Sequence, residues 1–255
     1  MKGDFHVRFC ERLAGEIPAC LLDRNVKCNK MRRANSFLIA AMVLTTLGCG
    51  GVKDIDGIIT MTTSANNISF WLKGSGTATV DWGDGSEKKT VKIVFTNDDE
   101  LPPRISRRYS DKTPRTITIT GKNITGLVCT NNQLNALNVS QNTALTYLNC
   151  WNNLITELDV SQNTALDLLW CGQNQLTALD VSHNTVLTRL TCSKNQFTAV
   201  ALNDLFITMH GNEIIEFDDE LGAMTIVKWL YVDGNPGSAD CNPSIAEEKG
   251  WWVFG

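Results

Sequence analysis

The segment Leu127-Val128-Cys129-Thr130-Asn131-Asn132-Gln133-Leu134 returns as Leu148-Asn149-Cys150-Trp151-Asn152-Asn153-Leu154-Ile155, as Leu169-Trp170-Cys171-Gly172-Gln173-Asn174-Gln175-Leu176 and as Leu190-Thr191-Cys192-Ser193-Lys194-Asn195-Gln196-Phe197, each copy 21 residues after the last. The residues between the copies move with them: Leu137, Leu158 and Leu179 form one column, Val139, Val160 and Val181 a second, and Asn142, Asn163 and Asn184 a third. A period of this length marks a repeat architecture in which one unit cannot bury its apolar side alone and stacked units make a continuous core. The Leu-x-Cys alternation sends both side chains inward from a short strand and leaves the residues between them facing solvent.

The unit Leu-x-x-Leu-x-Cys-x-x-Asn-x-Leu resembles the leucine-rich repeat family, specifically the short type of Bacteroides surface proteins and, more distantly, the internalins. The resemblance implies a mostly β, α+β chain with a solenoid of about five coils over residues 123–235, in which the repeated asparagine turns the chain and bonds the next coil. The fifth coil comes from Val227, Leu230, Val232 and Asn235, which restate the two leucines, the cysteine and the asparagine. Before it, Leu202, Leu205, Phe206 and Met209 have helical spacing. Residues 236–255 form the cap: a turn at Asn235-Pro236-Gly237, a short helix stopped by Gly250, and Trp251, Trp252 and Val253 as a shield over the last coil.

Cys129, Cys150, Cys171 and Cys192 read as a structural ladder. Parallel strands lie ~4.8 Å apart and stacked side chains point the same way, whereas a disulfide wants converging Cβ atoms ~3.8 Å apart. Four sulfurs in a line do not make a zinc tetrahedron either. A file of buried, small apolar side chains is the expected state.

Residues 57–122 alternate like strands at Ile58 to Thr62, Ile68 to Leu72, Thr77 to Trp82, Thr90 to Phe95 and Thr116 to Thr120. Asp81-Trp82-Gly83-Asp84-Gly85-Ser86 resembles the Trp-Gly-Asp-Gly turn of polycystic-kidney-disease-type domains, which implies a small immunoglobulin-like β-sandwich. Asp81 and Asp84 either cap that glycine turn, the commoner use, or bind calcium.

Upstream, Met31-Arg32-Arg33, the apolar run Phe37 to Leu47 and Gly48 have the layout of a secretory signal, too short to span a bilayer. Leu44-Thr45-Thr46-Leu47-Gly48-Cys49 resembles a bacterial lipobox, with Thr46 where an aliphatic residue is usual, which implies an acylated Cys49 as the first mature residue. Residues 1–30 then read as an extension that is not native, 31–48 as the signal peptide and 49–56 as a flexible tether. The segment Gly50 to Asp56 also resembles the export signal of surface lipoproteins in Bacteroides-like bacteria. These readings place the protein in a bacterial envelope, as an outer-membrane lipoprotein exposed at the surface. Residues 1–48 hold 8 of the 23 Lys+Arg and 4 of the 27 Asp+Glu, so the remainder carries 15 basic and 23 acidic side chains, a net of −8. Such a surface repels phosphate backbones and argues against nucleic acid.

No phosphate loop, nucleophile elbow or metal-binding spacing is present, and no cofactor or metal is implied. Asp180, Ser182 and His183 fall in a repeat whose earlier copy reads Asp159, Ser161 and Gln162, so no enzyme is expected. The repeat template instead turns Tyr147, Asn149, Trp151, Leu168, Trp170, Arg189, Thr191, Trp229 and Tyr231 outward on one concave sheet face. Aromatic and arginine side chains dominate interface energetics, so the strip is the expected binding face; the bland alternative is that neighbouring tryptophans merely cover each other. The expected partner is a protein, the alternative a glycan stacking on the rings.

Overall fold

The computed structural model describes residues 57–93, 103–218 and 222–255, with side chains 216–218, 222 and 223 left aside. The proposed extension, signal peptide, Cys49 and tether lie outside the described residues. The described chain is mostly β with few helices.

Strands β1 (Gly57–Thr63), β3 (Gly76–Asp81), β4 (Lys89–Ile93), β6 (Arg115–Gly121) and β8 (Leu134–Asn138) form a five-stranded sheet in the order β4-β3-β6-β1-β8. An eight-stranded sheet is ordered β15-β14-β11-β10-β9-β7-β2-β5, with β2 (Asn67–Gly74), β5 (Ile105–Arg108), β7 (Ile124–Val128), β9 (Tyr147–Asn149), β10 (Leu168–Trp170), β11 (Arg189–Thr191), β14 (Lys228–Tyr231) and β15 (Trp251–Phe254). From β7 to β15 the pairing is parallel, and Leu127, Leu148, Leu169, Leu190, Leu230 and Val253 share one register.

The five leucines of that register are fully buried, and Cys129, Cys150, Cys171 and Cys192 stand beside them as buried free thiols, followed by Val232. Burial pushes the thiols up, Cys150 and Cys192 to about 12, so none is a nucleophile at neutral pH.

The asparagines join coil to coil. The Asn174 amide donates to the carbonyls of Cys150 (3.0 Å) and Cys171 (3.1 Å), and its Oδ1 accepts from Ile155 N at 3.1 Å. Asn153, Asn195 and Asn235 repeat the pattern. Asn132 has no earlier coil to bond. There the main chain of Ser69 in β2 stands in, with Ser69 N donating to Asn132 Oδ1 and Asn132 Nδ2 donating to Ser69 O, both at 2.8 Å.

Every strand expected before residue 122 has a counterpart within the described residues, residues 94 and 95 of the fourth lying outside them, and β5 is additional. Hydrogen bonding runs straight across the expected 122/123 boundary: β7 pairs with β2, and β8 pairs with β1. One apolar core extends from Ile59 through the leucine files to Trp251. Trp82 is buried against Phe70, and its carbonyl accepts from Tyr109 Oη at 2.9 Å.

Between β11 and β14 the 21-residue period gives way to helix α1 (Ala199–Thr208) and the hairpin β12 (Ile215–Asp218) and β13 (Gly222–Thr225). Thr198 Oγ1 accepts from Ala201 N and starts α1, which buries Leu202, Leu205 and Phe206. Lys249 Nζ donates to the carbonyls of Phe206, Ile207 and Met209 and closes the other end. The hairpin changes how the chain enters β14. Val227 is 40% exposed where Leu145, Leu166 and Leu187 are fully buried, so it does not fill the leucine position assigned to it. Nor do all three residues after Gly250 act as a shield. Helix α2 (Ser244–Glu247) leads into β15, a sixth parallel strand that buries Trp251 but leaves Trp252 58% exposed.

Candidate functional site: the outward face of the long sheet

Because side chains alternate along a strand, the register that buries the leucines lays out two outward files. The first is Lys73, Gly126, Tyr147, Leu168, Arg189, Trp229 and Trp252; the second is Trp71, Val128, Asn149, Trp170, Thr191, Tyr231 and Phe254. All nine residues expected on the binding face therefore share it or border it, with Trp151 just beyond the end of β9.

The rings pack on one another. Tyr147 meets Trp170 edge-on at 5.8 Å between centroids, Trp229 stacks on Phe254 at 5.5 Å, and Tyr231 stacks on Phe254 at 4.9 Å. Burial raises the Tyr147 hydroxyl above its ordinary value. Two glycines make room. A Cβ on Gly172 would fall 2.1 Å from the Trp151 ring, so that ring lies flat across Gly172, and its Nε1 donates to Gln173 Oε1. A Cβ on Gly126 would fall 2.9 Å from Lys73 Cβ, and over this notch the Lys73 ammonium reaches 5.0 Å from the Tyr147 centroid.

Two hollows open on this face. The larger, of about 510 Å³, is lined by Thr130, Asn131, Asn149, Trp151, Trp170, Thr191, Ser193, Tyr231 and Asp233. The smaller, of about 360 Å³, is lined by Trp170, Arg189, Thr191, Trp229 and Tyr231. Leu168 and Tyr147 line neither hollow. Asn149 is more enclosed than an outward residue should be, because its Oδ1 accepts from Trp151 N at 3.1 Å and fixes the turn after β9. Ser193 donates to Asp233, and Thr188 donates to Asp167, whose burial raises its pKa. Trp170 Nε1 is buried with no hydrogen-bond partner.

Thr130, Asn131, Ser193, Asp233, Trp252 and Phe254 were not foreseen on this face. Ser193 and Asp233 stand two residues after Thr191 and Tyr231, in the column that Trp151 already marked, so carrying that column through every repeat would have found them.

The other candidate groups are engaged locally. Asp81 Oδ1 accepts from Gly83 N at 3.0 Å, and Lys88 lies 3.3 Å from Asp81 Oδ2. Asp84 Oδ1 accepts from Ser86 N at 3.1 Å, and Arg107 donates twice to Asp84 Oδ2. The turn hydrogen bonds hold both carboxylates below the ordinary aspartate value. Both thus act as turn caps. Asp180 accepts from Ser182 N at 2.8 Å as Asp159 does from Ser161 N at 2.9 Å, the same turn one coil apart, while His183 is exposed. Among the described residues no three His, Cys, Asp or Glu side chains group as a metal site.

No family model and no curated protein matches the chain. Among solved structures, the functional domain of the internalin InlJ from Listeria monocytogenes, which is described as including a cysteine ladder, is 32% identical, with 49% of this chain and 24% of that chain covered and a TM-score of 0.36. The alignment spans about a quarter of that protein's length.

Proposed function

We propose that this chain is a non-enzymatic recognition module: a five-coil leucine-rich-repeat solenoid, fronted by an immunoglobulin-like β-module and tethered by a lipid on Cys49 to the outer membrane of a bacterium, which binds a protein partner through the concave face of its long sheet. The observation that carries the reading is the outward strip itself. Trp151 just after β9, Trp170 on β10, and Trp229 and Tyr231 on β14 stand on one parallel ladder with only part of their surface covered. Large half-covered rings on a preorganised sheet, bordered by polar side chains, are the composition of an interface centre.

A glycan is the second reading, and one observation favours it. The larger hollow sets two tryptophans among Asn131, Asn149, Thr191 and Asp233, a pairing of ring faces with hydroxyl-matching groups that suits a sugar.

The experiment uses the full chain and its Trp151→Ala and Trp170→Ala variants on a combined array of proteins and glycans, with urea unfolding alongside. Loss of capture with folding retained is the expected result. Loss of stability with capture unchanged would show that the rings only cover one another. Feeding a palmitate analogue to the producing bacterium tests the anchor, and unlabelled protein released into the medium would refute it.

A further inference from the structure

We infer that the partner presents an acidic, extended peptide segment, whose carboxylate seats on Arg189 in the smaller hollow; this rests on the binding reading of the strip. Arg189 is exposed and makes no ion pair within the described residues. The nearby Asp167 carboxylate feels the charge of Arg189 but takes its side-chain hydrogen bond from the Thr188 hydroxyl and forms no ion pair with the arginine. Arg189 lines this hollow together with Trp170, Thr191, Trp229 and Tyr231. A ligand laid over these rings would cover the guanidinium and strengthen a charge-assisted, two-pronged bond between arginine and its carboxylate.

The rest of the face agrees in sign. Lys73 stands in the same file over Tyr147, and Arg104 lies 5.6 Å from the ring of Trp71. The only acid lining the two hollows, Asp233, is held by Ser193. This cationic strip belongs to a chain whose portion after residue 48 carries a net of −8, so charge marks this face off from the remainder and steers an acidic partner to it. A peptide in extended conformation offers a side chain to the face at every second residue, so one carboxylate on Arg189 leaves its flanking apolar residues beside Trp170 and Trp229.

The test is an array of random peptides graded from strongly acidic to strongly basic, with a parallel array of oligogalacturonates, probed with the full chain. The retained peptides are expected to be acidic, with capture falling about tenfold in Arg189→Ala, partly recovering in Arg189→Lys and weakening as salt rises. Equal retention of acidic, neutral and basic peptides, abolished by Trp170→Ala, would overturn the acidic partner while leaving the aromatic strip as the binding face. Acidic peptides retained equally by Arg189→Ala and Trp170→Ala would overturn both. Retention of oligogalacturonates without peptides would replace the peptide by an anionic glycan.

Discussion

The indole ring of Trp151 occupies the space where residue 172 would carry its side chain, 2.1 Å from the position of a Cβ on Gly172. A tryptophan on one coil is thus seated by a missing side chain on the next, and its hydrogen bond to Gln173 fixes the ring in that seat.

The Gly172→Ala substitution must displace the ring. The expected outcome is a loss of about 1–3 kcal/mol, typical of overpacking, together with an altered indole N–H resonance for Trp151. Urea unfolding and a two-dimensional NMR spectrum read the two effects; an unchanged spectrum would mean that the ring is not held there.

Asn174→Ala removes the acceptor for Ile155 N and the donor to Cys150 O, which link adjacent coils, and the donor to Cys171 O within its own coil. Each buried backbone group left without a partner costs about 1–3 kcal/mol, so a loss above about 3 kcal/mol is expected from the linear denaturant extrapolation. The exposed Gln175→Ala next to it is expected to stay within about 0.5 kcal/mol.

The ladder cysteines are buried with their thiols pushed up, whereas Cys241 is half-buried. In the folded protein a thiol reagent is expected to modify Cys241 first and the four ladder thiols only at the rate of opening. Cys192→Val is expected to cost less than about 1.5 kcal/mol, because Val232 already fills the same position one coil on.

His210 Nε2 donates to Leu187 O at 2.8 Å, and its Nδ1 accepts from Asn212 N at 3.2 Å, so the ring fits its neutral form. Burial lowers its pKa below the ordinary histidine value, and Lys228 and Lys249 act in the same direction. The unfolded chain therefore binds the proton more readily. The contribution of His210 is fully present above its unfolded value of about 6.5 and is lost as pH falls through the lower folded value. Unfolding midpoints measured between about pH 7 and 5.5 should decline, and His210→Gln should flatten the slope; an equal slope in the variant would place its origin elsewhere.

Much of this was legible because burial repeats. The 21-residue columns announced the parallel register, the buried leucine and cysteine files and the outward strip from Tyr147 to Tyr231. Trp251 to Phe254 carries no Leu-x-Cys frame and follows a turn-rich stretch, so its pairing with β14 left no local trace. Val227 shows the limit of alignment by residue type: an apolar residue at the right spacing stays near the surface because the preceding hairpin redirects the chain. The joins β2 to β7 and β1 to β8 connect segments far apart in sequence, and no periodicity records such a bond.

The asparagine bonds from coil to coil are nearly identical, and Ser69 completes them at Asn132 as though it were one more coil. An added 21-residue copy would find the same partners on both sides and move the C-terminal strands about 4.8 Å farther from β2. The span of the aromatic platform is therefore a tally of tandem copies. Adding or removing one such copy would lengthen or shorten it by one strand, while substitutions on the outward files would change what each strand presents.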